Sequence, residues 1–331
     1  MFYNSRLPFI YYFYLSWTNT PIKDDVMLKS KNNKSRFYYI KHELAGKSVV
    51  TFFGLFLIVL TICLVAFIAS KGLATFFNNH YSPIEFLFST VWKPERGAAD
   101  GGPKIGALIF IIGSVLVSLL ALIMSTPFSV AIAVFMTEIS PRLGKKLLQP
   151  AIEVFVGIPS VVYGWVGLSI LVPWVRSSFG GLGFSLLAGS LVLCIMIFPT
   201  ISSVSADAIR AIPRDYYEAS LALGATRWQT IRKVILPSAM PGILTGVVLG
   251  LARAFGEALA VQMVLGNTMR IPRSLLDSTI NMTSIITMDM GNTAMGSVWN
   301  NALWSMAFLL LIMSFLFIVL IHRIGRKGSH K

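Results

Sequence analysis

The stretch Ile212-Pro-Arg-Asp-Tyr-Tyr-Glu-Ala-Ser-Leu-Ala-Leu-Gly-Ala-Thr-Arg-Trp-Gln-Thr-Ile-Arg-Lys-Val-Ile-Leu-Pro237 carries its own helix punctuation within a mostly apolar chain. Asp215 is followed three residues later by Glu218. That spacing reads as a capping box, so a helix is expected from Tyr216 to Leu223 with Gly224 as its left-handed terminator. Thr226 and Gln229 read as a second capping box, and the helix they open is expected to end before Pro237. The product is a short helix, a glycine turn and another short helix. Polar and apolar positions are mixed on both, which makes the unit too polar for lipid and too apolar to stand free. It suits a groove on a soluble partner; packing against the inner face of a membrane part is the competing reading.

Working outward, the chain has 331 residues, 55% hydrophobic and 13% charged, with mean hydropathy +0.72. Soluble chains run at about 25% charged, so a soluble enzyme is excluded. A crossing helix needs about 20 apolar residues. Six segments meet or approach that: 49–70, 105–124 with an apolar extension to 139, 147–175, 183–203, 242–265 and 297–321. The piece 128–139 is too short to cross alone and reads as a helix continuing past a proline kink at Pro127. A seventh crossing would invert everything downstream.

Charge sets the orientation. The net charge is +14. With the N-terminus inside, the inner segments hold twenty Lys and Arg and the outer ones seven, leaving Arg253 within a span. Basic loops stay cytoplasmic, so both termini are expected inside, and the positive charge needs no nucleic acid to explain it. The aromatic run 8–17 lacks a cleavage site of small residues, and the compositional break near Met27 makes Met27 the expected native start.

Several chemistries find no support. Cys63 and Cys194 lie in apolar runs, and His42, His80, His322 and His330 are scattered without ligand spacing. Ala45-Gly-Lys-Ser48 resembles the end of a P-loop, but Lys41 stands where its first glycine belongs. The chain is therefore not expected to hydrolyse ATP, and no nucleophile–base set points to a hydrolase.

Two spans carry unusual residues. In 242–265, Arg253 falls near the midpoint, where an arginine costs about 2.5–3.5 kcal/mol on insertion scales. Glu257 follows by four residues, about 6 Å along a helix and on the same face. Gly242, Gly246 and Gly250 share that face and read as a close-packing ridge. Either Arg253 and Glu257 neutralise each other at a helix interface, or Arg253 lends positive potential to an anion path and Glu257 holds it until the anion competes. In 147–175, Gly157 and Pro159 predict a kink. Glu153 reads as a structural partner for basic loop residues, and Asp207 with Arg210 as a solvated pair.

The residues also carry a resemblance. Glu218-Ala219-Ser220, Gly224 and, nine residues on, Val234-Ile-Leu-Pro237 match the spacing of the EAA loop of ABC importer permeases, with Ser220 for Ala and Val234 for Ile. Ile158-Pro-Ser-Val-Val-Tyr-Gly164, Arg253-Ala-Phe-Gly-Glu-Ala-Leu-Ala-Val261 and Met263-Val-Leu-Gly-Asn267 resemble the phosphate-specific (Pst) importer permeases. Trp92-Lys-Pro94 and Ile271-Pro-Arg-Ser-Leu-Leu-Asp277 bring the chain closer to the C-type subunit. The resemblance implies an all-α membrane protein of six spans with the type I (MetI-like) permease fold. It divides the chain into a cytoplasmic extension 1–47, a permease domain 48–325 with a coupling loop at 204–237, and a tail 326–331. It implies that Glu218, Ala219 and Gly224 form the contact with an ATPase, with Asp215 and Leu223 at the two ends of the same helix as further coupling candidates, and that Arg253 and Glu257 line a phosphate path. No cofactor is expected in this chain; ATP and Mg would sit on the partner ATPase dimer. The implied companions are an A-type permease and an extracytoplasmic phosphate-binding protein docking on 71–104 and 266–296, in the plasma membrane of a prokaryote. Three other readings stay open: a permease for another oxyanion, an ion-coupled secondary transporter, which should show internal repeats, and a membrane scaffold or sensor.

Overall fold

The computed structural model describes residues 33–97 and 101–328, with side chains described for 46–97 and 101–323. The expected Met27 start and most of the extension 1–47 lie outside the described residues, as does the end of the tail at 329–331. Two units separate along the chain, Met1–Val65 and Ala66–Lys331.

Helix α1 (Asn33–Phe77) contains the first span, and every side chain from 46 to 67 is exposed. A helix apolar all round belongs in lipid rather than in a core. Within the second unit its last turns close on the final helix: Ser305 donates to the Gly72 carbonyl at 2.5 Å, and Phe67 meets Trp304 edge to face at 5.5 Å. After it come α2 (Pro83–Phe88) and a two-stranded hairpin, β1 (Trp92–Lys93) paired antiparallel with β2 (Lys104–Ile105), with Trp92 opposite Ile105. Trp92 and Ile105 turn inward with Phe86, Phe110 and Met282 to form a buried cluster.

Helix α3 (Leu108–Val134) continues unbroken through Pro127 and ends in a π turn, Phe135–Ile139. The second span therefore continues past its proline as the short length of 128–139 requires. The third span departs furthest from an ordinary kinked helix. It comprises α4 (Pro141–Leu143), α5 (Gln149–Gly157), α6 (Ser160–Val166) and α7 (Val172–Phe179), and it bends by 94° between Gly157 and Ser160. Among the described residues five helices are long and apolar enough to cross a membrane, and six if this bent pair is one span.

Helix α8 (Leu186–Arg210) is the central element. Its Leu193, Ile197 and Ile201 are fully buried against α3 and against the helix that follows the quoted stretch. That stretch forms α9 (Arg214–Ala222) and α10 (Arg227–Thr230), continues as a π turn Ile231–Ile235, and becomes α11 (Leu236–Gly256). The chain thus does not stop before Pro237. The wider i→i+5 winding of the preceding turn accommodates the missing proline N–H and its ring, and Arg227–Gly256 runs as one span.

Helix α11 seats on α8 through the glycine ridge. A methyl at Gly242 would collide with the Ala208 side chain, one at Gly246 would lie 3.2 Å from Val204 Cβ, and one at Gly250 would lie 2.7 Å from the Ile201 side chain. The small residues let the two backbones approach closely, as the sequence pattern implied. Span five then breaks after Gly256; α12 (Leu259–Leu265) follows, then α13 (Met282–Asp289) and the closing α14 (Val298–Gly328).

Candidate substrate path and coupling loop

The cytoplasmic-loop candidate is a rigid unit. Helix α9 starts two residues earlier than expected: Pro213, φ −56°, stands at its N-cap without any side-chain cap, so Asp215 and Glu218 do not form a capping box. Proline presets the entry dihedral, and the exposed Asp215 carboxylate instead faces the positive helix end from the first turn. The C-terminus is as the sequence requires. Gly224 has φ +83°, its N–H donates to the Leu221 carbonyl at 2.9 Å, and the Ala225 N–H donates to the Ser220 carbonyl at 3.2 Å, the paired bonds of a Schellman motif. At α10 the Thr226–Gln229 capping box is complete in both directions, at 3.3 and 2.8 Å.

One further bond ties the two helices. Ser220 Oγ and Thr230 Oγ1 lie 2.9 Å apart and buried. The Thr230 hydroxyl donates to the Thr226 carbonyl at 3.2 Å, so Ser220 is the donor between them. The serine that departs from the EAA pattern is therefore the clasp of this loop. Beneath it, Ile209, Ile231, Ile235 and Ile243 pack with Ala133 and Val134 of α3. The opposite face is unpartnered: Tyr216 and Trp228 are more than half exposed, Leu223 is 89% exposed, and Glu218, Ala219 and Gly224 are exposed beside them.

The intramembrane charges are arranged differently from a straight helix. Glu257 is extended, φ −76° and ψ 124°, so it does not lie on the same helical face as Arg253. Among the described residues the two form no ion pair; Arg253 Nη1 donates to Thr200 Oγ1 of α8 at 3.2 Å. The Glu257 carboxylate accepts from the Ala260 N–H at 3.2 Å, and its carbonyl accepts from the Thr283 hydroxyl at 2.7 Å. These bonds replace the helical ones lost at the break, which is why the chain opens there. Arg253 and Glu257 are each half-buried.

The bend of the third span is closed by Tyr163. Pro159 offers no N–H to the Phe155 carbonyl four residues earlier, and the Tyr163 hydroxyl donates to that carbonyl at 2.7 Å. The next residue, Gly164, lets α6 lie against α12: a methyl there would come within 2.7 Å of Ala260 Cα. The structure thus brings together the separate segments 158–164 and 253–267. Thr200, Tyr163 and Thr283 escaped the sequence reading, although Tyr163 stands four residues beyond Pro159 and Thr200 directly follows Pro199. On the inner side Glu153 accepts from Gln149 Nε2 at 3.2 Å rather than from a basic loop residue, and Asp207 pairs with Arg210 at 3.3 Å, both exposed. Among the described residues no group of three His, Cys, Asp or Glu could hold a metal ion.

On the outer side Asp277 orders the loop before α13. Its carboxylate accepts from the Arg273 N–H at 2.7 Å and the Ser274 N–H at 3.1 Å. The Arg273 N–H first, with the Ser274 N–H and the charges of Arg270 and Arg273 behind it, holds this carboxyl below its usual range.

Residues 125–328 match the family described as binding-protein-dependent transport system inner membrane component. The probable ABC transporter permease protein YqgH of Bacillus subtilis is 53% identical over 86% of this chain and 91% of its own length. The phosphate transport system permease protein PstC of Xylella fastidiosa is 32% identical over 75% of this chain and 81% of its own. A solved structure of the MetNI methionine ABC transporter shares the fold at a TM-score of 0.51 and 22% identity, covering 66% of this chain and 96% of that one.

Proposed function

The chain belongs to the family of binding-protein-dependent transport system inner membrane components, as an ABC importer permease of MetI-like fold, and from that premise we propose that it conducts inorganic phosphate. The observation that carries this reading is Arg253. Its guanidinium sits within the membrane part with a neutral hydroxyl, Thr200, as its hydrogen-bond partner. An arginine there is costly to insert and, unneutralised by a carboxylate, attracts an anion. The likeness to a relative named as a phosphate permease agrees with it. Glu257 holds the break open beside the path rather than guarding the arginine.

In this account the chain is a transport subunit, and hydrolysis of ATP with Mg belongs to a partner ATPase dimer. The Leu223–Trp228 face of α9 and α10 seats in a cleft of that ATPase. Because the two helices are capped, clasped at Ser220 and packed on α3 and α8, they transmit rigid-body motion to the spans. A second, non-identical A-type permease completes the path, and an extracytoplasmic binding protein delivers phosphate to the 71–104 and 266–296 segments. The excess of Lys and Arg on the inner segments supports both termini being cytoplasmic, and the likeness to bacterial relatives supports the plasma membrane of a prokaryote.

The test is uptake of labelled phosphate into proteoliposomes holding the whole importer, with sulfate as competitor. Arg253→Gln is expected to abolish uptake while the ATPase still co-purifies. Normal uptake by that variant would remove the path role, and sulfate import in preference to phosphate would replace the substrate.

A further inference from the structure

Resting on the reading of Arg253 as the positive group of the path, we propose that the Tyr163 hydroxyl is a second ligand of the transported oxyanion, shared in turn between the anion and the Phe155 carbonyl. A phenol has one hydrogen to donate. Here it is given across the 94° bend to the carbonyl that Pro159 leaves without a helical donor. The half-buried ring is fixed in place because Gly164 beside it holds α6 tightly on α12, with Ala260 Cα and Met263 Sδ where a larger side chain would need room. Tyr163 packs against the cluster that holds Ala260 and Val264 of α12, just beyond the break that follows Arg253, and Thr200 holds that guanidinium from the α8 side. An anion drawn to Arg253 therefore arrives next to a hydroxyl already aimed by its neighbours. Hydrogen bonds to ionised acceptors are about twice as strong as neutral ones, so the anion takes the hydrogen from the carbonyl.

That exchange has a mechanical consequence. The Phe155 carbonyl lies near the end of α5, and the other end of α5 is held at Gln149, whose Oε1 accepts from Arg210 Nη2 at 3.3 Å. Arg210 ends α8, immediately before the α9–α10 unit. Occupancy of the path thereby loosens the strap on a span whose inner half, like that of α3, meets the base of the coupling unit.

The experiment compares Tyr163→Phe, Pro159→Ala and the double variant in proteoliposomes holding the whole importer, with Arg253→Gln alongside and ATPase co-purification as the measure of assembly. Tyr163→Phe is expected to lower phosphate uptake at least tenfold. Pro159→Ala supplies an N–H and lifts the proline's bar to rewinding the turn at Ile158, extended here at ψ 127°, so in the double variant the Phe155 carbonyl has a donor available even if the single one fails to assemble. It is expected to assemble and still to transport at least tenfold more slowly. Recovery of uptake in the double variant would reduce Tyr163 to a strap and overturn the proposal. Normal uptake by Tyr163→Phe with none by Arg253→Gln would overturn it and leave the Arg253 path standing. Normal uptake by Arg253→Gln would remove the path reading itself and this inference with it.

Discussion

Substituting Gly224 isolates the backbone term of the coupling loop. The residue sits at φ +83°, and an added methyl would meet nothing within 4 Å, so steric crowding contributes nothing. What remains is the left-handed conformation, which costs an L-residue with a Cβ about 1–2 kcal/mol. That amounts to roughly a 5–30-fold shift in the equilibrium between the closed and the frayed turn. The Leu223, Gly224 and Ala225 amides donate to Ala219, Leu221 and Ser220 at 3.2, 2.9 and 3.2 Å, and they report the turn directly. Hydrogen exchange of the detergent-purified chain is expected to accelerate by that factor at position 224 and its two neighbours in Gly224→Ala, with α8 unchanged. Gly224→Asn is the control, because asparagine visits the left-handed region more readily; its acceleration should fall between glycine and alanine. Equal protection in all three, or faster exchange for asparagine than for alanine, would refute the assignment of rigidity to this cap.

Other consequences follow from the same geometry. Ser220→Ala restores the EAA pattern but removes the clasp to Thr230; the Thr230 hydroxyl keeps its bond to Thr226, so thermal unfolding should show a loss of about 1 kcal/mol and no more. Thr226→Ala removes a completed capping box and should loosen the α10 amides by about 1 kcal/mol, read by exchange at Gln229. On the glycine ridge, Gly250→Leu forces side-chain atoms into Ile201 and Ile197 and should cost about 1–3 kcal/mol, whereas Gly256→Ala, facing open space, should leave the melting temperature unchanged. The depressed carboxyl of Asp277 stabilises the outer loop wherever pH exceeds the unfolded value of 3.8, and that contribution is lost as pH falls through the lower folded value. The protection of the Arg273 and Ser274 amides relative to their intrinsic exchange should therefore hold at pH 5 and fall only below pH 3.8; Asp277→Asn should remove that fall.

The parts legible in the sequence are those governed by local rules. The Thr226–Gln229 box and the Gly224 terminator lie within a few residues of what they satisfy, and the glycine ridge follows from helical period alone. Asp215 is not the cap its spacing suggests because Pro213 already sets the entry of α9, leaving the carboxylate in the first turn. Pro237 looked like a terminator because the π turn that accommodates it has no sequence signature of its own. The break at Glu257 depends on Thr283, twenty-six residues further on, and the sharpness of the third-span bend depends on a tyrosine folding back across it. Contacts of that kind are tertiary, and helical periodicity carries no information about them. Arg253 was flagged by cost, but its partner was placed on the wrong element. The four-residue spacing to Glu257 implied a pair, and the structure instead gives Arg253 to Thr200 on α8.

The most direct test of the account is to purify the chain from its native membrane in mild detergent and identify its stoichiometric companions by mass spectrometry. The account predicts an ATPase and a second, non-identical permease. Recovery of the chain alone, or as a homodimer without an ATPase, would contradict ATP-driven import through the α9–α10 face.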